Sequence, residues 1–267
     1  MNELVSDQAD GLRRLLAQFP TRIIAVAGMA GGVGATTVAM NLAVALVRQG
    51  REVLLLDEHC PKDGSICAVW SLDPTGTLAD AVGASSAASA ARAACGVSVL
   101  PSPPGALPAA ADARLLCKAG VIVIDAALDS DGRLSPLGQG ADELVLVLQP
   151  SVASITSTYA GLKRLHHAHG LQRFRPLVNG VTGAAQAGQI MGNLASASAR
   201  YLTVSLQPGG WVRSDANVAP ARGLGQTVAE AFPASAAAVD FRRIAAAMGR
   251  WPSGDAAGHP AARESVS

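Results

Sequence analysis

Short, mostly apolar runs recur along the chain at 22–27, 53–56, 97–100, 121–124, 144–148, 176–178 and 202–206, separated by loops or by segments with helical spacing. Strands that are apolar on both faces and alternate with helices predict a mostly parallel, twisted sheet covered by helices on both sides, an α/β architecture. Helices are predicted over 36–48, 151–168, 184–200 and 234–248. Ahead of the first strand, Ser6 can cap a short helix carrying Leu12, Leu15, Leu16 and Phe19 on one side, which Pro20 stops. The segment 251–267 is rich in Gly, Pro, Ala and Ser and reads as disordered. The expected organisation is an N-terminal helix over 1–20, one domain over 21–250, and a tail.

Composition narrows the class. Hydrophobic residues make up 49% of the 267, yet aromatics only 3%, so alanine supplies much of the apolar content and lets helices pack closely on the sheet. Two stretches without charge, 23–47 and 144–162, are long enough to raise a membrane span. Glycines and Asn41 in the first, and Gln149, Pro150 and several hydroxyl residues in the second, favour a buried strand, turn and helix. With 21 basic against 20 acidic residues the net charge is +1, so no global field draws the chain to nucleic acid, and no direct nucleic-acid contact is expected. Cys60, Cys67, Cys95 and Cys117 lack C-x-x-C spacing and no basic-then-apolar segment opens the chain, which together predict a reducing, cytoplasmic setting. His166, His167 and His169 end a predicted helix without sharing a face, a poor arrangement for a metal.

The candidate chemistry lies between the first strand and its helix. Gly31, Gly32, Val33, Gly34, Ala35, Thr36 and Thr37 would expose backbone N–H groups and a helix N-terminus to an anion, with the Thr36 hydroxyl placed for Mg²⁺. The sequence AGMAGGVGATTVAMNLAVAL resembles the K-G-G-V-G-K-T-T loop of the MinD/ParA family of deviant Walker A P-loop ATPases, with both lysines replaced. Ala30 stands at the signature lysine, which in the family reaches across a nucleotide-sandwich homodimer. Ala35 stands at the lysine that holds the β- and γ-phosphates.

The resemblance therefore implies ATP and Mg²⁺ as cofactors, bound more weakly, with hydrolysis poor or absent, since a finger-type cation is worth about 10³–10⁵ in rate. Asp57-Glu58-His59 takes the place of the family's D-x-D, which puts Asp57 near the Mg²⁺ shell and His59 at the water-orienting position. Asp125 matches the Walker B aspartate, although Ala126-Ala127-Leu128 lacks the glycine switch. On pattern alone Asp125 could also cap a helix. Asn179 matches an adenine-reading asparagine, or is a simple turn residue.

The opening SDQADGLRRLLAQ resembles the D-Q-A-x-x-L-R start of the FlhG (FleN, YlxH) branch, the regulators of flagellar number and placement, and AEAFPASAAAVDFRRIAAAM resembles that branch's ending. This resemblance implies that the N-terminal helix, through Gln8, Leu12 and Arg13, docks on and activates the signal-recognition-type GTPase FlhF. The bland alternative is a helix packed on its own domain. Flagellar basal-body or regulatory proteins are the other implied partners.

The family also touches membranes through a C-terminal amphipathic helix, which would set the protein at the inner face of the cell membrane at the pole. Phe241, Ile244, Met248 and Trp251 form a stripe that fits either that role or a closing core helix. Two further readings are a working MinD-type ATPase cycling between monomer and dimer, and a pilus localisation factor of the CpaE/TadZ type. The latter would carry a receiver-like domain for which this sequence has no room.

Overall fold

The computed structural model describes residues 21–60, 64–103, 113–116 and 120–251. The expected N-terminal helix with Gln8, Leu12 and Arg13, the tail beyond 251, and Cys117 lie outside them. Among the described residues, nine strands form the sheet: β1 (Arg22–Gly28), β2 (Val53–Asp57), β3 (Ala91–Arg92), β4 (Ser98–Pro101), β5 (Val121–Asp125), β6 (Glu143–Leu148), β7 (Arg173–Val181), β8 (Ser205–Leu206) and β9 (Gly210–Arg213). Their order is β3-β4-β2-β5-β1-β6-β7-β8, with β9 also beside β7. Every pair is parallel except β3 with β4.

Period-two alternation explains why both faces are covered. Ile23, Ala25 and Ala27 of β1 point into one apolar layer with Leu162, Leu165 and Leu194 from the helices Val152–His169 and Ala184–Tyr201. Ile24 and Val26 point into the other, with Leu42 of the helix Ala35–Val47 and Phe241 and Ile244 of the helix Ala236–Met248. Alanines at 39, 43, 45, 237 and 245 line that second layer, which is how so few aromatics fill the core.

Three expectations need correction. The run at 202–206 shrinks to Ser205–Leu206, and the edge strand resumes at Gly210–Arg213, a segment its flanking glycines concealed. The strand expected at 176–178 extends over Arg173–Val181, because Arg175 inside it is buried against Glu143 rather than solvated. Trp251 is core and not the start of a tail: its ring packs 4.3 Å beneath the Arg175 guanidinium, and its carbonyl accepts a hydrogen bond from Arg22.

The stripe of Phe241, Ile244 and Met248 is likewise buried, at 1–2% exposure, because the helix Ala236–Met248 lies along the helix Ala35–Val47. That face is closed to a membrane. No described helix is long and apolar enough to cross one.

Candidate nucleotide-binding site

Parallel strands deliver their loops to one edge, and here the carboxyl ends of β1, β2 and β5 meet. Asp57 and Asp125 are in register, each closing its strand. The loop after β1 runs into the helix Ala35–Val47, whose N-cap, Gly34, has φ 88° and no side-chain cap. Its first-turn N–H groups are thus free to meet an anion. Glycine is required there twice over, since the left-handed backbone disfavours other residues and a Cβ would sit 2.6 Å from the Asn179 amide.

Two amides hold the loop by its carbonyls: Asn179 Nδ2 donates to Val33 O at 3.0 Å, and Gln149 Nε2 to Gly32 O at 3.2 Å. Asn179 therefore packs on the loop after β1, with its Nδ2 engaged there.

Loop and helix floor an open cleft of about 650 Å³, lined by Gly28 through Thr37, including Ala30, Gly31, Ala35, Thr36 and Thr37, and by His59, Gly64, Ala126, Leu128, Asp129, Ser130, Gly132, Arg164 and Arg222. Room for a triphosphate is thus retained despite the missing lysines.

The two strand-end aspartates differ sharply. Asp57 is saturated: Oδ1 accepts from the His59 N–H at 3.0 Å, and Oδ2 from Ile66 N–H at 2.8 Å and Cys67 N–H at 3.4 Å. Asp125 is fully buried with neither carboxylate oxygen hydrogen-bonded. Burial raises its pKa to about 7, the facing Thr36 side chain pulls it down, and Asp57 pushes it up.

A buried carboxylate with both oxygens unpartnered, opposite a hydroxyl at a helix start, suits a hard divalent cation with oxygen ligands. The donors fit Mg²⁺, and Asp125 with Thr36 offers the free oxygens that Asp57 does not. His59 stands on the cleft wall with Nε2 3.9 Å from Asp125 Oδ1, beyond hydrogen-bond reach.

Glu58, which no motif singles out, ties the site together. Its Oε2 accepts from the Ala127 N–H at 2.9 Å and its Oε1 from the Ser135 hydroxyl at 2.6 Å, so the loop after β5 is anchored to the end of β2. Burial lifts this carboxyl to about 6, against both hydrogen bonds. Sequence reading also missed Gln149, Arg164 and Arg222; Gln149 at the end of an apolar strand was the one available signal.

Cys60 and Cys67, which spacing did not pair, bring their sulfurs together with Asp57, all ligand atoms lying within 4.8 Å. Burial pushes both thiols up, Cys67 to about 12, so they hold their protons. His169 Nε2 accepts from the Leu134 N–H at 3.2 Å while His166 Nδ1 meets Leu171 O at 2.9 Å, so these two are tied to separate backbone groups.

A family described as an AAA domain matches residues 21–70, the first strand, loop and helix. The antiactivator FleN of Pseudomonas aeruginosa is 31% identical, over 90% of this chain and 91% of its own. The chain belongs to the FleN family. Among solved structures, the cell-division ATPase MinD of Pyrococcus furiosus superposes with a TM-score of 0.63 at 20% identity, covering 86% of this chain and 98% of its own. MinD of Pyrococcus horikoshii, a complex with Mg-ADP, does so with a TM-score of 0.58 at 20% identity, covering 85% and 96%. The fold is thus that of the MinD/ParA P-loop proteins.

Proposed function

We propose that this chain is a cytoplasmic regulator of flagellar number and placement that binds ATP with Mg²⁺ in the cleft, hydrolyses it poorly, and works by binding partners. One observation carries the reading: a FleN-family chain keeps an uncapped helix start and an orphaned, buried Asp125 at an open cleft, yet has alanine at both lysine positions.

The loop N–H groups and the helix dipole hold the phosphates, while Thr36 and Asp125 hold the metal. Bound Mg²⁺ would neutralise phosphate charge. Ala30 and Ala35 put nothing on the charge that develops during transfer, so nucleotide acts as a conformational ligand more than as fuel. Residues 1–20, with Gln8, Leu12 and Arg13, are proposed as the segment that docks on an FlhF-like GTPase at the cell pole, and a nucleotide-bound homodimer as the form that does so.

Calorimetry with MgATP tests the nucleotide claim. Wild type should bind, the Ala30→Lys/Ala35→Lys double variant should bind more tightly, and phosphate release by wild type should fall about 10³-fold or more below that of lysine-bearing relatives. Absence of binding by both forms would leave only a partner-binding scaffold. Gln8→Ala should reduce stimulation of FlhF GTP turnover, and unchanged turnover removes that role. His59 on the cleft wall favours a competing reading, a working ATPase; family-typical turnover abolished by His59→Ala would establish it.

A further inference from the structure

The cleft has cations of its own. Among the described residues, Arg164 and Arg222 line it from opposite parts of the chain, Arg164 from the helix Val152–His169 and Arg222 from the short helix Val218–Gly223. Both guanidinium-bearing residues are exposed, and among the described residues neither forms an ion pair with a carboxylate. Several other arginines are committed to acids: Arg175 and Arg22 to Glu143, Arg213 and Arg243 to Asp240, Arg114 to Asp142.

Each cleft arginine is instead seated over a glycine. Arg222 Nη2 donates to Gly64 O at 3.3 Å, and a Cβ on Gly64 would come within 2.9 Å of it. A Cβ on Gly132 would overlap the Arg164 guanidinium outright. Gly64 follows β2 and Gly132 follows β5, so the loops after the two aspartate-bearing strands each leave room for one guanidinium. Asp129, the acid on the cleft wall, turns Oδ1 into its own loop, accepting from the Asp131 and Arg133 N–H groups.

We propose that Arg164 and Arg222 are the phosphate-binding cations of this site, holding a bound polyphosphate from the cleft walls rather than from the loop. The inference rests on the nucleotide-binding reading above and specifies its recognition chemistry. The ligand class is a nucleoside di- or triphosphate, because a planar guanidinium matches two phosphate oxygens at once, and two of them facing one cleft suit a polyphosphate better than a single anion. An unpaired cation in a cleft without an acidic partner is also what raises the local concentration of an anionic ligand.

The test is MgATP titration of the full chain by calorimetry, with melting temperature as the check on folding. Arg164→Ala and Arg222→Ala should each weaken MgATP binding roughly ten- to hundred-fold, the range for a hydrogen bond to a charged group, with melting temperature unchanged because both residues are exposed. Gly132→Ala keeps both charges but displaces one, and should copy Arg164→Ala in affinity. In the Ala30→Lys/Ala35→Lys background the same arginine truncations should cost less than about three-fold, because the restored lysines share the phosphates. Wild type that binds MgATP while both truncations bind equally well would overturn the assignment and leave the nucleotide reading standing. Wild type without measurable binding would overturn both.

Discussion

Two buried carboxylates on the strands flanking β1 live under opposite rules. Glu143 opens β6 at the edge of the sheet away from the cleft; Arg175 grips it with Nε at 2.7 Å and Nη2 at 3.1 Å, and Arg22 adds a third contact at 3.8 Å. Trp251 closes over the group by stacking on Arg175. Asp125 ends β5 at the cleft edge, equally buried, and among the described residues neither of its oxygens is held by a hydrogen bond like those Glu143 receives. Native folds satisfy buried charges, so the paired acid belongs to the architecture and the unpaired one waits for something the chain does not itself supply.

Breaking the paired edge should have the largest effect. Arg175→Ala strands Glu143 without its fork and uncovers Trp251, which should cost about 3–5 kcal/mol in a urea unfolding experiment, the usual penalty for removing one partner of a buried pair. A loss under about 1 kcal/mol would mean that Arg22 alone suffices to hold Glu143.

The same operation at the cleft edge should have the opposite sign. Asp125 carries a folded-state pKa of about 7 against an ordinary 3.8, so between those values the folded protein holds a proton that the unfolded chain has released. Stability attributable to this group is intact below pH 3.8 and declines as pH rises to about 7. Asp125→Asn should therefore stabilise the ligand-free protein above pH 7, by at most about 4 kcal/mol, and flatten that decline. A variant less stable than wild type at pH 8 would show that the carboxylate has a partner after all.

Asn179→Ala should give the smallest change, about 1 kcal/mol for one hydrogen bond to Val33 O, together with weaker MgATP binding as the loop loosens. Equal stability with unchanged affinity would remove the amide from the site.

The strand, loop and helix around Gly34 were plain in the sequence because each signal is local: an apolar run, glycines, then helical spacing. Asp125 was legible as the end of an apolar strand, whereas its register with Asp57 on the neighbouring parallel strand was a matter of strand order, which the sequence analysis did not predict. The stripe of Phe241, Ile244, Met248 and Trp251 was visible too, but an apolar stripe looks the same whether it faces a core or a membrane. Only its packing against the helix Ala35–Val47 decides. Arg175 inside β7 hid the true length of that strand, since a cation in an apolar run reads as a boundary until its acid is found.

What the order of residues determined unaided is the α/β sheet and the glycine-rich turn between its first strand and helix, because these depend on neighbours a few positions apart. What only tertiary structure decided is charge partnership: that Asp57 accepts three backbone hydrogen bonds and Asp125 none, that Asn179 and Gln149 brace the loop, and that Arg164 and Arg222 line the same cleft. Those facts depend on groups far apart along the chain meeting within a few ångströms, and no short-range pattern encodes such a meeting.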